Sequence, residues 1–275
     1  MKSPTYKVKI GIVGCGAIGS RIAKNIKREF GHDAKVVAVF DKDLQKMRWL
    51  AQSLGDKSVI ARSLESLIQK SDCVVEAINT DAVGEIVKKI LSAKKSVLVM
   101  SVGKMLKATD LFRLARKNKC YILLPSGAVA GVDAIKAASL AKIDRITLTT
   151  RKPIKGLIGN PYFAKKRINL AKIKKETTVF NGGVALAVKN FPQNINVAAT
   201  IALASQCPKK LRIKINTSPH FIKNSHEIEV AGDFGRIKTL TENVICPDNP
   251  KTSYLAVLSG MQTLKQYCSG ILIGT

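Results

Sequence analysis

Apolar residues along this chain fall into short continuous runs separated by longer segments in which they recur every third or fourth position. That rhythm predicts strands buried on both faces, alternating with amphipathic helices. Val8, Ile10, Ile12 and Val13 form the first run, and Lys35 to Phe40 (KVVAVF) the second. Asp43 is placed to cap a helix reaching about residue 54, and the run at 73–77 predicts another strand. A helix over about 81–93, a strand over 96–100, a helix capped by Thr109 with Leu111, Phe112, Leu114 and Ala115 on one face, and a strand over 121–124 follow. These elements complete one domain by about Gly127.

Beyond Gly131 the rhythm changes. A helix over about 132–140 leads to an alternating strand over 145–150 and a loop rich in glycine and proline around 153–161. Strands are predicted over 177–180, 211–215, 226–230 and 236–244, with helices over 184–189 and 196–205. The tail over 252–268 reads as a helix burying Leu255, Leu258, Met261, Leu264 and Tyr267. The expected architecture is α/β: a Rossmann-type doubly wound parallel sheet followed by a second, α+β catalytic domain on an open mixed sheet.

The turn after the first strand narrows the chemistry. Gly14, Gly16 and Gly19 stand at the G-x-G-x-x-G spacing, between a strand and a helix, and Asp41 closes the second strand. Gly14 allows the tight turn, Gly16 lets backbone approach a pyrophosphate, and Gly19 lets helix pack on strand. The N–H groups of Ala17 and Ile18 at the helix start face the anion, and Asp41 is placed for the adenosine ribose hydroxyls. The expected cofactor is therefore NAD or NADP. Asp41 repels a 2′-phosphate and favours NAD, while Lys42 and Arg48 soften that preference. Loops at 79–80, 101–103 and 125–127 are expected to line the cofactor crevice.

Composition changes this picture little. The chain has 275 residues, 46% of them hydrophobic, no apolar stretch of membrane-spanning length and no secretory signal, so a cytoplasmic location is expected. Its six cysteines include no C-x-x-C pair and do not cluster with histidine, which points to reduced thiols and no metal. The formal charge of +27, from 46 Lys plus Arg against 19 Asp plus Glu, raises the question of nucleic acid. Lysines are spread along the whole chain and aromatics are too sparse for a base-stacking platform, so neither nucleic acid nor membrane is the expected partner.

A dinucleotide domain joined to a mixed catalytic domain implies hydride transfer, and the second domain must then supply an acid or base. Only His32, His220 and His226 are available. His32 lies in a turn at the wrong end of the first sheet, and His220 in a loop without an orienting partner. His226 opens HEIEV, where a strand is expected to leave a loop and present its ring to a cleft; the alternative is a strand-end histidine bonded to backbone. Asn196, in NFPQNINVAA, offers the donor and acceptor that a nicotinamide carboxamide needs. In NPKTS, Lys251, Thr252 and Ser253 bring an amine and two hydroxyls to the expected start of the last helix, as anion ligands or as an ordinary helix entrance.

GIVGCGAIG, SVGK at 101, PSGAVAGVDA at 125, TRKP at 150, KNFPQNINVAAT at 189, NSHEIEVAGDFG at 224 and NPKTSYLAVLSG at 249 together resemble the L-aspartate dehydrogenase family, nearly end to end. The resemblance implies oxidation of L-aspartate to iminoaspartate, which leaves for quinolinate and NAD synthesis or is hydrolysed to oxaloacetate and ammonia. It also implies His226 as the catalytic residue, Ala130 against the cofactor through its backbone, Asn196 at the nicotinamide, a homodimer, and a last helix that returns to the first domain. The domains expected are thus 1–130 with 250–275 for the dinucleotide, and 131–249 for catalysis and oligomerisation. FNGGVA at 180 and Cys246-Pro247-Asp248 depart from the family pattern, away from His226, Asn196 and the glycines. Two rivals stay open: a related dihydrodipicolinate-reductase-like enzyme, whose paired histidines and lysine motif are missing, and an NAD-binding redox sensor without dehydrogenase activity.

Overall fold

The computed structural model describes residues 8–191, 195–247 and 249–274, with backbone alone at 195 and 249–251. The chain divides into two compact units. The first comprises Met1–Pro125, Pro247–Pro250 and Val257–Ile273; the second comprises Ser126–Cys246, Lys251–Ala256 and Gly274–Thr275.

The first unit runs β1 (Val8–Val13), α1 (Ala17–Glu29), β2 (Ala34–Phe40), α2 (Leu44–Leu54), α3 (Leu64–Lys70), β3 (Cys73–Glu76), α4 (Val83–Ser92), β4 (Ser96–Val99), α5 (Thr109–Asn118) and β5 (Ile122–Leu123). The five strands form a parallel sheet in the order β2-β1-β3-β4-β5. A single parallel bridge from Val39 to Ile60 stands where a further edge strand of a Rossmann sheet belongs. Strands β3 and β4 are buried along their whole length, as a sheet covered by helices on both faces requires. Sequence order reverses between β1 and β3, and the crevice at that switch point is where such sheets bind ligands.

The second unit runs α6 (Val132–Ala138), β6 (Ile143–Pro153), α7 (Pro161–Lys165), β7 (Thr177–Gly183), α8 (Val184–Asn190), α9 (Ile195–Ser205), β8 (Leu211–Ser218), β9 (Asn224–Gly232) and β10 (Gly235–Asn243). Its sheet has the order β10-β9-β6-β8-β7 and is mixed: β6 and β8 are parallel, the other pairs antiparallel. Helices α8 and α9 cover one face, over Leu148, Ile213 and Ile215. Tyr162, Phe163, Phe180 and Phe191 interlock edge to face and tie α7, β7 and α8 together. The opposite face is charged and solvated, with Arg151 between Glu176 and Glu227 and Lys238 between Glu227 and Glu229.

The chain closes with β11 (Ile245–Cys246), β12 (Asn249–Ser253) and α10 (Tyr254–Ser269). Four expectations need correction. Thr252 and Ser253 end a strand and do not open the last helix. That helix buries Val257, Gly260 and Leu264, leaving Leu255 and Leu258 more than a third exposed. Thr109 is the first helical residue of α5 and makes no side-chain cap, whereas Asp43 does cap α2 through the N–H groups of Gln45 and Lys46. His226 lies inside β9 and not at its opening, because the ladder to β10 extends two residues further back, to Asn224, and the ladder to β6 one residue, to Ser225.

Candidate active site

In the first unit the glycine turn connects β1 to α1. Gly14 has φ +99° and its N–H donates to the Phe40 carbonyl at 2.9 Å; a Cβ there would sit 2.5 Å from the Ala77 carbonyl oxygen. A Cβ on Gly19 would lie 1.9 Å from the Gly14 carbonyl oxygen, so helix and turn meet only because position 19 has no side chain. Gly16 differs: it is the N-cap of α1, caps with no side chain, and has open space where its Cβ would be. An anion drawn to the N–H groups of Ala17 and Ile18 therefore meets bare backbone. Asp41 Oδ2 accepts from the Cys15 N–H at 2.7 Å and Oδ1 from the Asp43 N–H at 3.0 Å, fixing the carboxylate beside the turn with lone pairs left for ribose hydroxyls. These residues fit a dinucleotide.

Glu76, at the end of β3, is fully buried. Oε1 accepts from the Ile78 N–H at 2.8 Å and lies 3.0 Å from Ser101 Oγ, while Oε2 accepts from the Ser101 N–H at 3.1 Å. One carboxyl group thereby ties together the loops that leave β3 and β4. Burial raises its pKa, against the lowering effect of the donors from Ile78 and Ser101.

In the second unit His226 is 8% exposed and pairs with Thr150 on β6 and Thr241 on β10. Its Nδ1 lies 3.0 Å from Thr150 Oγ1, a hydrogen bond that fixes the ring. Burial, with a smaller push from the Lys152 ammonium, lowers the imidazole pKa from 6.5 to about 4, so the ring is neutral at physiological pH. The loop after Ser126 lies on the same face of β10. Asn243 Nδ2 donates to the Ala128 carbonyl at 3.0 Å, Thr239 Oγ1 donates to the Ala130 carbonyl at 3.3 Å, and a Cβ on Gly131 would sit 2.8 Å from the Thr239 methyl. Thr239 and Asn243 flank Thr241, the partner of His226, so Ala130 and His226 are brought together. Asn243 also accepts from Ser253 Oγ at 2.5 Å, which draws Ser253 to this hub. Asn196, in the first turn of α9, is exposed; Ala198, two residues on and on a different side of the helix, lines a small cavity with Thr150. Thr252 is half-buried, and the side chain of Lys251 lies outside the described residues.

The comparisons with known proteins give the family and the fold. A family profile described as "Aspartate dehydrogenase, C-terminal" matches residues 133–267, and one described as "Homoserine dehydrogenase, NAD binding domain" matches residues 14–125. The L-aspartate dehydrogenase of Methanosarcina mazei is 45% identical over 273 residues, 98% of this chain and 100% of that protein. The chain belongs to the L-aspartate dehydrogenase family. Among solved structures, the aspartate dehydrogenase of Thermotoga maritima aligns with a TM-score of 0.74 at 23% identity, over 98% of this chain and 100% of its own, a likeness of fold. A hyperthermophilic archaeal homoserine dehydrogenase in complex with NADPH aligns at 0.62 and 15%, over 98% and 99%. As a member of the L-aspartate dehydrogenase family, the chain carries an NAD-binding domain for NAD or NADP.

Sequence reasoning missed Glu76, Thr150 and Asn243. An acidic residue ending a run of buried valines was the available signal for Glu76, since a carboxylate there needs donors. Thr150 and Asn243 gave none, because their roles follow from strand register.

Proposed function

We propose that the chain oxidises L-aspartate to iminoaspartate, with His226 as its acid–base residue. When bound, NAD or NADP supplies the hydride acceptor. Gly14, Gly16, Ala17, Ile18 and Gly19 hold the pyrophosphate through backbone, Asp41 the ribose and Asn196 the nicotinamide part, while Ala130 lies against the cofactor through its backbone. With Nδ1 held by Thr150, Nε2 is the nitrogen of His226 that exchanges a proton with substrate. It takes a proton from the substrate ammonium before hydride loss, or from a water that attacks the imine carbon afterwards, giving oxaloacetate and ammonia. Iminoaspartate that escapes hydrolysis feeds quinolinate and NAD synthesis. Asp41 favours NAD and admits NADP. Thr252 and Ser253 are assigned to the substrate side together with Lys251.

One observation carries this reading: a buried, neutral imidazole fixed by a threonine on the sheet face that also holds the Ala130 loop. The test adds L-aspartate and other amino acids to the purified protein with NAD and then NADP, following absorbance near ~340 nm. Reduction with L-aspartate and not with the others is expected. None of the described cysteines forms a disulfide, which supports a reducing, cytoplasmic setting, and among the described residues no helix is long and apolar enough to cross a membrane. A homodimer is proposed, supported by the exposed apolar side chains of Leu240, Val244 and Ile245; light scattering checks it.

A further inference from the structure

Between β6 and β7 the second unit carries a groove of about 480 Å³ to which the roles above give no task. Ile158 and Pro161, in the turn that enters α7, line one side; Ile168 and Leu170, in the turn that leaves it, line the other, with buried Phe163 between them. Asparagine side chains fix both turns. Asn160 Oδ1 accepts from the Tyr162 N–H at 2.9 Å and its Nδ2 donates to the Asn190 carbonyl at 3.1 Å, while Asn169 Oδ1 accepts from the Ala171 N–H at 3.0 Å. Phe163 is held by the rings of Tyr162 and Phe191. The groove is therefore preorganised by the fold, and Ile158 stands 71% exposed at its lip.

The chain beside this groove is cationic throughout. Lys165, Lys166 and Arg167 stand between Ala164 and Ile168, which both line it, and Lys172, Lys174 and Lys175 follow Ala171, another lining residue. All six are exposed, and residues 165–175 contain no acid. Among the described residues none of these six side chains forms an ion pair; Glu176, the next carboxylate along the chain, is taken by Arg151 and Asn216. An apolar floor inside a rim of one charge has the layout of a docking patch, in which the floor supplies binding energy and the rim steers and selects the partner.

Charge and shape decide among the occupants. A second copy seated here by two-fold symmetry would bring the same six cations against the rim, from a chain whose formal charge is +27. Phosphates of a nucleic acid would suit the rim, but no ring among residues 158–175 is exposed for a base to stack on: Phe163 is buried, and Tyr162 packs against Phe163, Phe180 and Phe191. A flat bilayer would leave the groove unfilled. An acidic stretch of polypeptide with an aliphatic or aromatic side chain projecting from it matches both floor and rim.

We propose that the groove between Ile158 and Leu170 docks an acidic segment of a partner protein, with an apolar side chain in the groove and carboxylates on the rim of Lys165, Lys166 and Arg167. This docking is independent of the L-aspartate reading, and either can fail without the other.

The probe is a short fluorescein-labelled peptide of glutamate and serine with a leucine and a phenylalanine at its centre; the control peptide has alanine at both positions and the same charge. Fluorescence anisotropy at physiological ionic strength should show the apolar peptide binding about tenfold more tightly. Ile158→Asp should remove that preference, and the triple variant Lys165→Glu, Lys166→Glu, Arg167→Glu should weaken both peptides about tenfold or more. The triple variant Lys88→Glu, Arg116→Glu, Lys117→Glu makes the same charge change at exposed sites of the first unit and should alter binding less than about twofold. In the wild type, brief acetylation read by peptide mass spectrometry should show the apolar peptide protecting Lys165, Lys166 and Lys172 severalfold while Lys88 and Lys117 are unaffected, a readout that needs no variant. Equal affinity for the two peptides, equal losses in the two triple variants, or uniform protection would reduce the patch to diffuse positive charge and overturn the proposal. So would binding of a single-stranded oligonucleotide or of phosphatidylglycerol vesicles that Ile158→Asp abolishes, or a dimer in light scattering that Ile158→Asp dissociates, since each names a different occupant.

Discussion

The first unit buries an acid and the second buries bases, and the two arrangements work through different parts of the chain. Glu76 sits at the end of a parallel strand with backbone N–H donors aimed at it, and burial still raises its pKa. His226 and Lys152 project from a mixed sheet into apolar surroundings, and burial lowers both. Under the proposed function, the first unit meets its ligand with N–H groups and glycine backbone and uses side chains as braces. The same proposal makes side chains of the second unit the reagents, and the sheet register decides which of them meet.

The largest test of that contrast is His226→Ala. If the second unit contributes the reacting side chain and the first contributes backbone, turnover should fall about 10²- to 10⁴-fold while NADH affinity stays within about twofold. Steady-state kinetics with L-aspartate and a fluorescence titration with NADH measure the two quantities separately. Near-normal turnover would remove the imidazole from the mechanism and leave the second unit as a scaffold.

Opposite burial also predicts opposite responses to pH. His226 has a folded pKa of about 4 against 6.5 unfolded, so between those values the unfolded chain binds more protons. Stability from this site is complete above about 6.5 and is lost as pH falls toward 4, by up to roughly 3 kcal/mol. Glu76 runs the other way: its raised pKa means that the folded state binds more protons above 4.5, so its site loses stability as pH rises through that region. Amide-exchange protection should therefore weaken in β9 and strengthen in β3 as pH is lowered from 6.5 to 4.5. Parallel trends in both strands would break the contrast.

The same difference explains what the chain disclosed in advance. Backbone roles leave a mark in residue type, because a turn that brings a carbonyl 2.5 Å from a would-be Cβ at Gly14 admits only glycine. The glycine turn, Asp41, the Asp43 cap and the alternating strands and helices were legible for this reason. Side-chain meetings across a sheet leave no such mark. Thr150 and His226 are far apart in sequence, and nothing in either segment says that β6 and β9 pair with these two residues opposed. The resemblance identified His226 as a residue of interest, but neither the threonine behind it nor the lysine beside it. The stripe expected on α10 went wrong for a related reason: Gly260 is buried there, and a residue without a side chain is invisible to a search for apolar periodicity.

A smaller effect separates the brace from the ligand site within the first unit. Glu76→Gln keeps the size and one acceptor but turns an NH₂ group toward the N–H of Ile78 or Ser101, costing about 1–2 kcal/mol. Thermal unfolding should register that loss, and the Glu76-dependent part of the pH response should vanish with it. NADH affinity should fall as well, because the loops after β3 and β4 lose their common anchor. Unchanged affinity with reduced stability would make Glu76 a core residue with no bearing on the cofactor.

The finest division concerns Gly16, where fold and ligand make different demands on one atom. Its φ of −72° suits any residue and its Cβ would meet nothing within 4 Å, so Gly16→Ala should leave the melting temperature of the cofactor-free protein unchanged. A pyrophosphate seated on that backbone would meet the added methyl group directly, and NADH affinity should drop roughly tenfold, about 1.4 kcal/mol. Loss of affinity without loss of stability would mean that this glycine is retained for the ligand alone, unlike Gly14 and Gly19, where a side chain collides with the protein's own backbone. Unaltered affinity would instead move the phosphates away from the turn, and the claim that the first unit works through bare backbone would fail at the residue where it is most exposed to test.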